Sequence, residues 1–191
     1  MINPNKITNF DLNHNELEEV ILFWVSAAGK NAITASKILD KFLIHIHDIN
    51  NIRYYKPFLA IRNIGKSKLL ELMKRFGFGC YNNKSETFWN LANSNLDLKT
   101  CTIESLESIK GIGFKTSRCF LIHSRPNVYH AGLDVHILKM LNNMGYKVPK
   151  QTPTSKKKYL ELERIFLNIV KQSGKSVAEF DLDNWKSYSG R

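Results

Sequence analysis

The chain has 191 residues, enough to bury a core, and its 28 Lys and Arg against 17 Asp and Glu give a formal charge of +11. That balance favours a polyanionic partner such as a nucleic acid without saying which one. The longest apolar stretch, Val20 to Ala28 with Ser26 inside it, is too short to cross a bilayer, and Met1 to Lys6 holds no hydrophobic signal core, so a soluble, intracellular, cytoplasmic protein without a membrane partner is expected.

Helical periodicity dominates the chain in order. Glu16 to about Ala28 places Leu17, Val20, Ile21 and Trp24 on one face, and a second helix is expected from about Ala32 to Ile44. Lys66 to Phe76 is amphipathic and stops at Gly77, while Ser85 is suited to cap a helix through Ala92. Phe88, Trp89 and Trp24 have helical neighbours and read as core rather than as stacking platforms. His45 and His47 have no carboxylate–histidine set beside them and do not read as a metal site. Thr102 caps a short helix to about Ser108, and Phe114, Cys119, Phe120 and Ile122 recur at helical spacing after it. Asp134 opens another helix that ends at Gly145. Thr154 begins a long helix to about Gln172, in which Lys156, Lys157 and Lys158 read as a solvated start. Ser176 precedes a last helix toward Tyr188. No run alternates long enough to build a sheet, so the expected fold is all-α, as one unit over residues 1–191 or as two helical lobes around a cleft.

Chemistry concentrates in Ile109-Lys110-Gly111-Ile112-Gly113-Phe114-Lys115 and in Gly132-Leu133-Asp134-Val135-His136. Two helices joined by K-G-I-G make a helix-hairpin-helix over about residues 103–124. Gly111 and Gly113 permit backbone angles closed to other residues, and the unpaired amides that open the second helix are aimed at a phosphate, assisted by the helix dipole. Lys115 stands in the first turn of that helix, where the positive end of the dipole favours a neutral, nucleophilic amine that attacks an electrophilic sugar carbon. The alternative is a charged contact to phosphate. Asp134 reads as a helix N-cap, and backbone N–H bonds there are expected to depress its pKa and keep a carboxylate that stabilises positive charge at C1′ of a deoxyribose.

These motifs resemble the helix-hairpin-helix DNA glycosylases, and most closely their lysine-containing branch, the short, cluster-free 8-oxoguanine DNA N-glycosylase/AP lyases. The likeness is carried by I-K-G-I-G-F-K-T and L-D-V-H, within about Ile103 to Leu141. It implies that Lys115 forms the Schiff base, that Asp134 is the catalytic carboxylate, and that His136, Gly111 and Gly113 hold DNA. It also implies a monovalent cation at the carbonyls of Ile109 and Ile112, no catalytic metal and no other cofactor. Lys110 stands where the family usually has proline, and Gly132-Leu133 replaces a proline-containing approach to the aspartate. Cys80, Cys101 and Cys119 show no C-x-x-C spacing, and no cysteine follows Cys119, so neither a disulfide framework, a zinc site nor an iron–sulfur cluster is expected.

The resemblance extends to three further sites. Asn31, in S-A-A-G-K-N-A, resembles the segment that fills the gap left by an extruded base. The closing run from Phe180 to Arg191 resembles the end of the short enzymes, with Trp185 as a stacking ring and the carboxylate of Arg191 as an acceptor for N7–H of oxidised guanine. The activity implied is base excision from damaged double-stranded DNA followed by β-elimination, performed by a monomer. A non-catalytic DNA-binding module and a monofunctional glycosylase, in which Lys115 only contacts DNA, remain open alternatives.

Overall fold

A computed structural model describes residues 2–188, which form nine α-helices and a short 3-10 turn, with no strand among them. The chain divides into two compact units. One takes the residues up to Ile7 together with Asp11–Ile112, and the other takes Thr8–Phe10 and everything from Gly113 onward. The division falls inside the hairpin.

In the first unit, α1 (His14–Ala27) packs against α2 (Ala32–Ile49), α3 (Pro57–Arg75) and α4 (Tyr81–Ala92). Asn13 caps α1 through a reciprocal pair with Glu16. Neighbours on several sides explain why Leu22, Phe23 and Val25 are buried as well as Leu17, Val20 and Ile21, whereas Trp24 is only half-buried. Phe42 lies at the centre of edge-on contacts with Phe76, Phe78 and Phe88, so Phe88 is core as expected. Helix α2 runs past its expected end at Ile44 because buried His47 is satisfied inside the fold, its ring bonding the Leu43 carbonyl and accepting from the Lys56 amide. Helix α3 begins at Pro57, earlier than expected, and is interrupted at Gly65, where φ is 75°. Buried Lys84 on α4 donates to the carbonyls of Ser26 and Phe78, tying α4 to the end of α1. Burial pushes its pKa down. The short α5 (Ile103–Glu107) completes this unit.

The second unit contains α6 (Phe114–Ser124), α7 (Val135–Asn143), α8 (Lys156–Ser173) and α9 (Val177–Tyr188). Ile122, Leu133, Ile137, Leu141, Tyr159 and Phe166 belong to its core. Helix α9 packs against α6, α7 and α8. Gly174 ends α8 in the left-handed conformation, and Ser176 and Glu179 bond reciprocally at the start of α9. No helix among the described residues is long and apolar enough to cross a membrane.

Candidate active site

The hairpin is built from unequal glycines. Thr102 and Ser105 form a reciprocal cap on α5, and the Ile112 amide closes the turn onto the Ile109 carbonyl at 2.9 Å. Gly111 has φ of 99°, and a Cβ there would lie 1.8 Å from Oγ1 of Thr87, so both conformation and space demand glycine. Gly113 departs from expectation. Its φ of −102° and ψ of 178° are open to any residue, and a Cβ would meet nothing within 4 Å. No side chain caps α6, which leaves its opening amides without that source of partners. Lys110 pairs with Glu86 at 3.0 Å on the surface, and Asn90 donates to its carbonyl.

Lys115 stands in the first turn of α6 and is half-buried. Cys119 and His123 follow at intervals of four residues, so the three share one helix face. Across from this face, the segment leading to Asp134 is pressed onto α6: a Cβ on Gly132 would fall 2.2 Å from Sγ of Cys119. The backbone polar groups of this buried segment are met by side chains. Glu163 accepts from the Ala131 amide at 2.8 Å. The Tyr159 hydroxyl donates to the Ala131 carbonyl at 2.7 Å and accepts from the Leu133 amide at 3.0 Å. Thr152 donates to the Leu133 carbonyl. Glu163 is itself paired with buried Arg118 at 2.9 Å, and the guanidinium lies over the Tyr159 ring. Asp134 then caps α7, its Oδ1 accepting from the amides of His136 and Ile137 at 2.8 and 2.9 Å.

The electrostatics reverse one expectation. Burial pushes the Asp134 carboxyl above the ordinary carboxylate range, and the Asp181 carboxylate adds to the rise. Lys115 exerts the largest opposing influence, with the Ile137 hydrogen bond and His136 helping it. The capping bonds are present as expected, but removal from water outweighs them. The Cys119 thiol, buried beside Lys115, Asp134 and Asp181, is pushed up as well and stays a neutral S–H. Lys115, Asp134 and Asp181 thus all bear electrostatically on one buried, neutral thiol. This arrangement suits proton exchange between an amine and a carboxylate.

Lys115, Asp134, His136 and Gly113 thus share the second unit, while Gly111 belongs to the first. His136 is half-buried and is the second residue of α7. Asn31, in the first unit, caps α2, its side-chain oxygen accepting from the amides of Ile33 and Thr34. Helix capping is the contact that the structure gives this residue. Trp185 is half-buried on α9. Arg191, the expected acceptor for the base, lies outside the described residues. Lys156 and Lys157 are exposed and Lys158 pairs with Glu161, as a solvated helix start requires. Cys80 is exposed, Cys101 and Cys119 are buried, and none of the three is in a disulfide. Sequence reasoning missed Tyr159, Glu163, Arg118, Asp181 and His123, each of which acts through a partner distant in the chain.

A family model described as 8-oxoguanine DNA glycosylase matches residues 44–175. A protein of Methanocaldococcus jannaschii named 8-oxoguanine DNA glycosylase/AP lyase is 32% identical over 142 residues, covering 66% of this chain and 65% of that protein. One of the same name from Picrophilus torridus is 33% identical over 87 residues, covering 45% and 40% respectively. The chain thus matches less than two thirds of either relative. Among solved structures, the 8-oxoguanine DNA glycosylase of M. jannaschii aligns with a TM-score of 0.74 at 21% identity, over 97% of this chain and 84% of that one. That of Thermotoga maritima aligns with a TM-score of 0.71 at 22% identity, over 98% and 88%. At such identity the structural likeness establishes the fold, an all-α fold with a helix-hairpin-helix. The chain belongs to the 8-oxoguanine DNA glycosylase family.

Proposed function

We propose that the protein is a bifunctional DNA glycosylase/AP lyase that removes 8-oxoguanine from double-stranded DNA. The single observation that carries this reading is the lysine–carboxylate pair: the segment that bears Asp134 is pressed onto the face of α6 that bears Lys115, with Gly132 against Cys119 one turn on from the lysine. Neither the non-catalytic module nor the monofunctional enzyme needs that pairing.

The nucleotide is first extruded, because C1′ is inaccessible within a stacked duplex. Lys115 transfers a proton to Asp134, and the neutral amine attacks C1′. The bond from C1′ to the base breaks, its electron pair leaving with the base, which takes up a proton. Asp134 passes the proton it took from Lys115 to the departing base and, ionised again, stabilises positive charge on the sugar as that bond breaks. Opening of the sugar ring gives an imine between Nζ and C1′. Loss of a proton from C2′ then expels the 3′ phosphate and cuts the strand, and water releases the lysine. The uncapped start of α6 and the open face of Gly113 are suited to a DNA phosphate. The carbonyls of Ile109 and Ile112 would hold a monovalent cation if one binds here; that of Ile109 keeps a second lone pair after accepting from the Ile112 amide. The scheme uses no other cofactor.

The test is incubation with a duplex bearing 8-oxoguanine in the presence of borohydride, which reduces the imine to a stable link. A covalent adduct is the expected result. A free abasic product without adduct would select a monofunctional glycosylase, and binding without base loss would select the module.

A further inference from the structure

Behind the Lys115–Asp134 pair lies a buried polar chain that the scheme above does not use. His123 occupies the same face of α6 as Lys115 and Cys119 and is only 1% exposed. Its Nε2 lies 3.0 Å from Oδ2 of Asp181 on α9, and its Nδ1 lies 2.8 Å from Oγ1 of Thr8. The Thr8 hydroxyl both donates and accepts, so it serves the imidazole whichever ring nitrogen carries a proton. The imidazole is thereby locked at both ends, and Asp181 is held by a donor from α6. Asp181 in turn acts on both Asp134 and the Cys119 thiol.

We propose that His123 is a positioning residue of the reaction: by holding Asp181 against the Lys115–Asp134 pair, it sets how readily Asp134 takes the proton that Lys115 must lose. The inference rests on the glycosylase/lyase reading and deepens it. The charged and titratable groups that bear on Asp134 are Lys115 and Cys119 on α6, His136 on α7 and Asp181 on α9. Lys115 and His136 favour its ionised form, and Asp181 is the carboxylate that opposes them. Burial alone raises the proton affinity of Asp134 irrespective of what happens at Lys115. The Asp181 charge makes it a stronger base without removing more of it from water, and His123 is the donor that holds that charge in place. A like charge near a carboxylate is a standard means of separating the proton affinities of two acids.

The test is the pH dependence of single-turnover adduct formation. Asp134 must be ionised to accept the proton, so the wild-type rate rises with pH along an acid limb. In Asp181→Asn the repelling charge is gone, and the limb should move to lower pH by about half a unit or more. His123→Leu, which lets Asp181 go, should move it the same way, and His123→Gln, which keeps a donor toward Asp181, should restore it. Thr8→Val should give a smaller shift in the same direction. Circular dichroism establishes folding, and if His123→Leu does not fold, Asp181→Asn and Thr8→Val carry the test. Limbs that coincide with wild type, or a uniform loss of rate at every pH, would overturn the inference and leave the functional reading intact. Absence of any adduct from the wild-type protein would overturn both.

Discussion

Gly113 and Gly132 stand two residues before Lys115 and Asp134 respectively and contrast as glycines. At Gly132 the protein itself fills the space a side chain would take, because Sγ of Cys119 lies there. At Gly113 the protein leaves the space open and the backbone unstrained. The segment before Asp134 has its polar groups met from inside by Glu163, Tyr159 and Thr152, while the amides that open α6 have no side-chain cap. A reacting carboxylate needs a fixed position, and a surface that grips a phosphate needs unfilled valences. The two regions divide these tasks.

The largest expected effect comes from the carboxylate. Asp134→Asn should slow base excision by on the order of 10²-fold or more, the scale for loss of a preorganised charged group, as read by single-turnover kinetics. Its stability should change in the other direction. The folded protein holds the Asp134 proton more tightly than the unfolded chain, so it binds more protons between the ordinary carboxylate range and the raised value, and stability falls as pH rises through that window. Asparagine caps a helix as well as aspartate does and carries no buried charge. The variant should therefore melt no lower than wild type at neutral pH and lose part of this fall. A clear drop in its neutral-pH melting temperature would show that the charge supports the fold.

Gly132→Ala comes next. The added methyl must displace Cys119 or the Asp134 segment, at a cost of about 1–3 kcal/mol in stability, and excision should drop with the displacement. Combining it with Cys119→Ala makes room, so the double variant should recover stability relative to Gly132→Ala in a denaturant melt. Failure to recover would mean that the close approach of Gly132 to Cys119 is not the constraint.

The smallest effect sharpens the other side of the comparison. Gly113→Ala should leave stability unchanged or raise it slightly, because its backbone angles suit alanine, while weakening duplex affinity by roughly tenfold, about 1.4 kcal/mol. Gly111→Ala should instead destabilise, since it meets Thr87 with φ positive. Equal DNA affinity of Gly113→Ala and wild type in a titration at fixed salt would remove Gly113 from the binding surface.

Much of this was legible along the chain. The all-α fold, the cap at Thr102, the hairpin, Asp134 at the head of α7 and the stop at Gly145 all depend on neighbours a few residues away. The extension of α2 to Ile49 was not, because a histidine interrupts an apolar pattern and only the fold shows that His47 is satisfied by Leu43 and Lys56. The early part of α3 was not legible either, because the helical backbone is interrupted at Gly65 and helix lies on both sides of it. The sign of the Asp134 shift needed burial and Asp181, neither visible in L-D-V-H. Gly113 was read with Gly111 because a G-x-G pattern gives no φ, and the two conformations differ. Tyr159 and Glu163 gave no signal, since a tyrosine and a glutamate within an amphipathic helix look like face and surface until the segment they hold is in place.

The central claim is that Lys115 is the nucleophile. It is tested most directly by digesting the borohydride-trapped adduct and locating the sugar remnant by mass spectrometry. The account predicts the remnant on Lys115 alone, and no adduct from a folded Lys115→Gln protein that still binds the lesion duplex. A remnant on another amine, or an undiminished adduct in that variant, would contradict it.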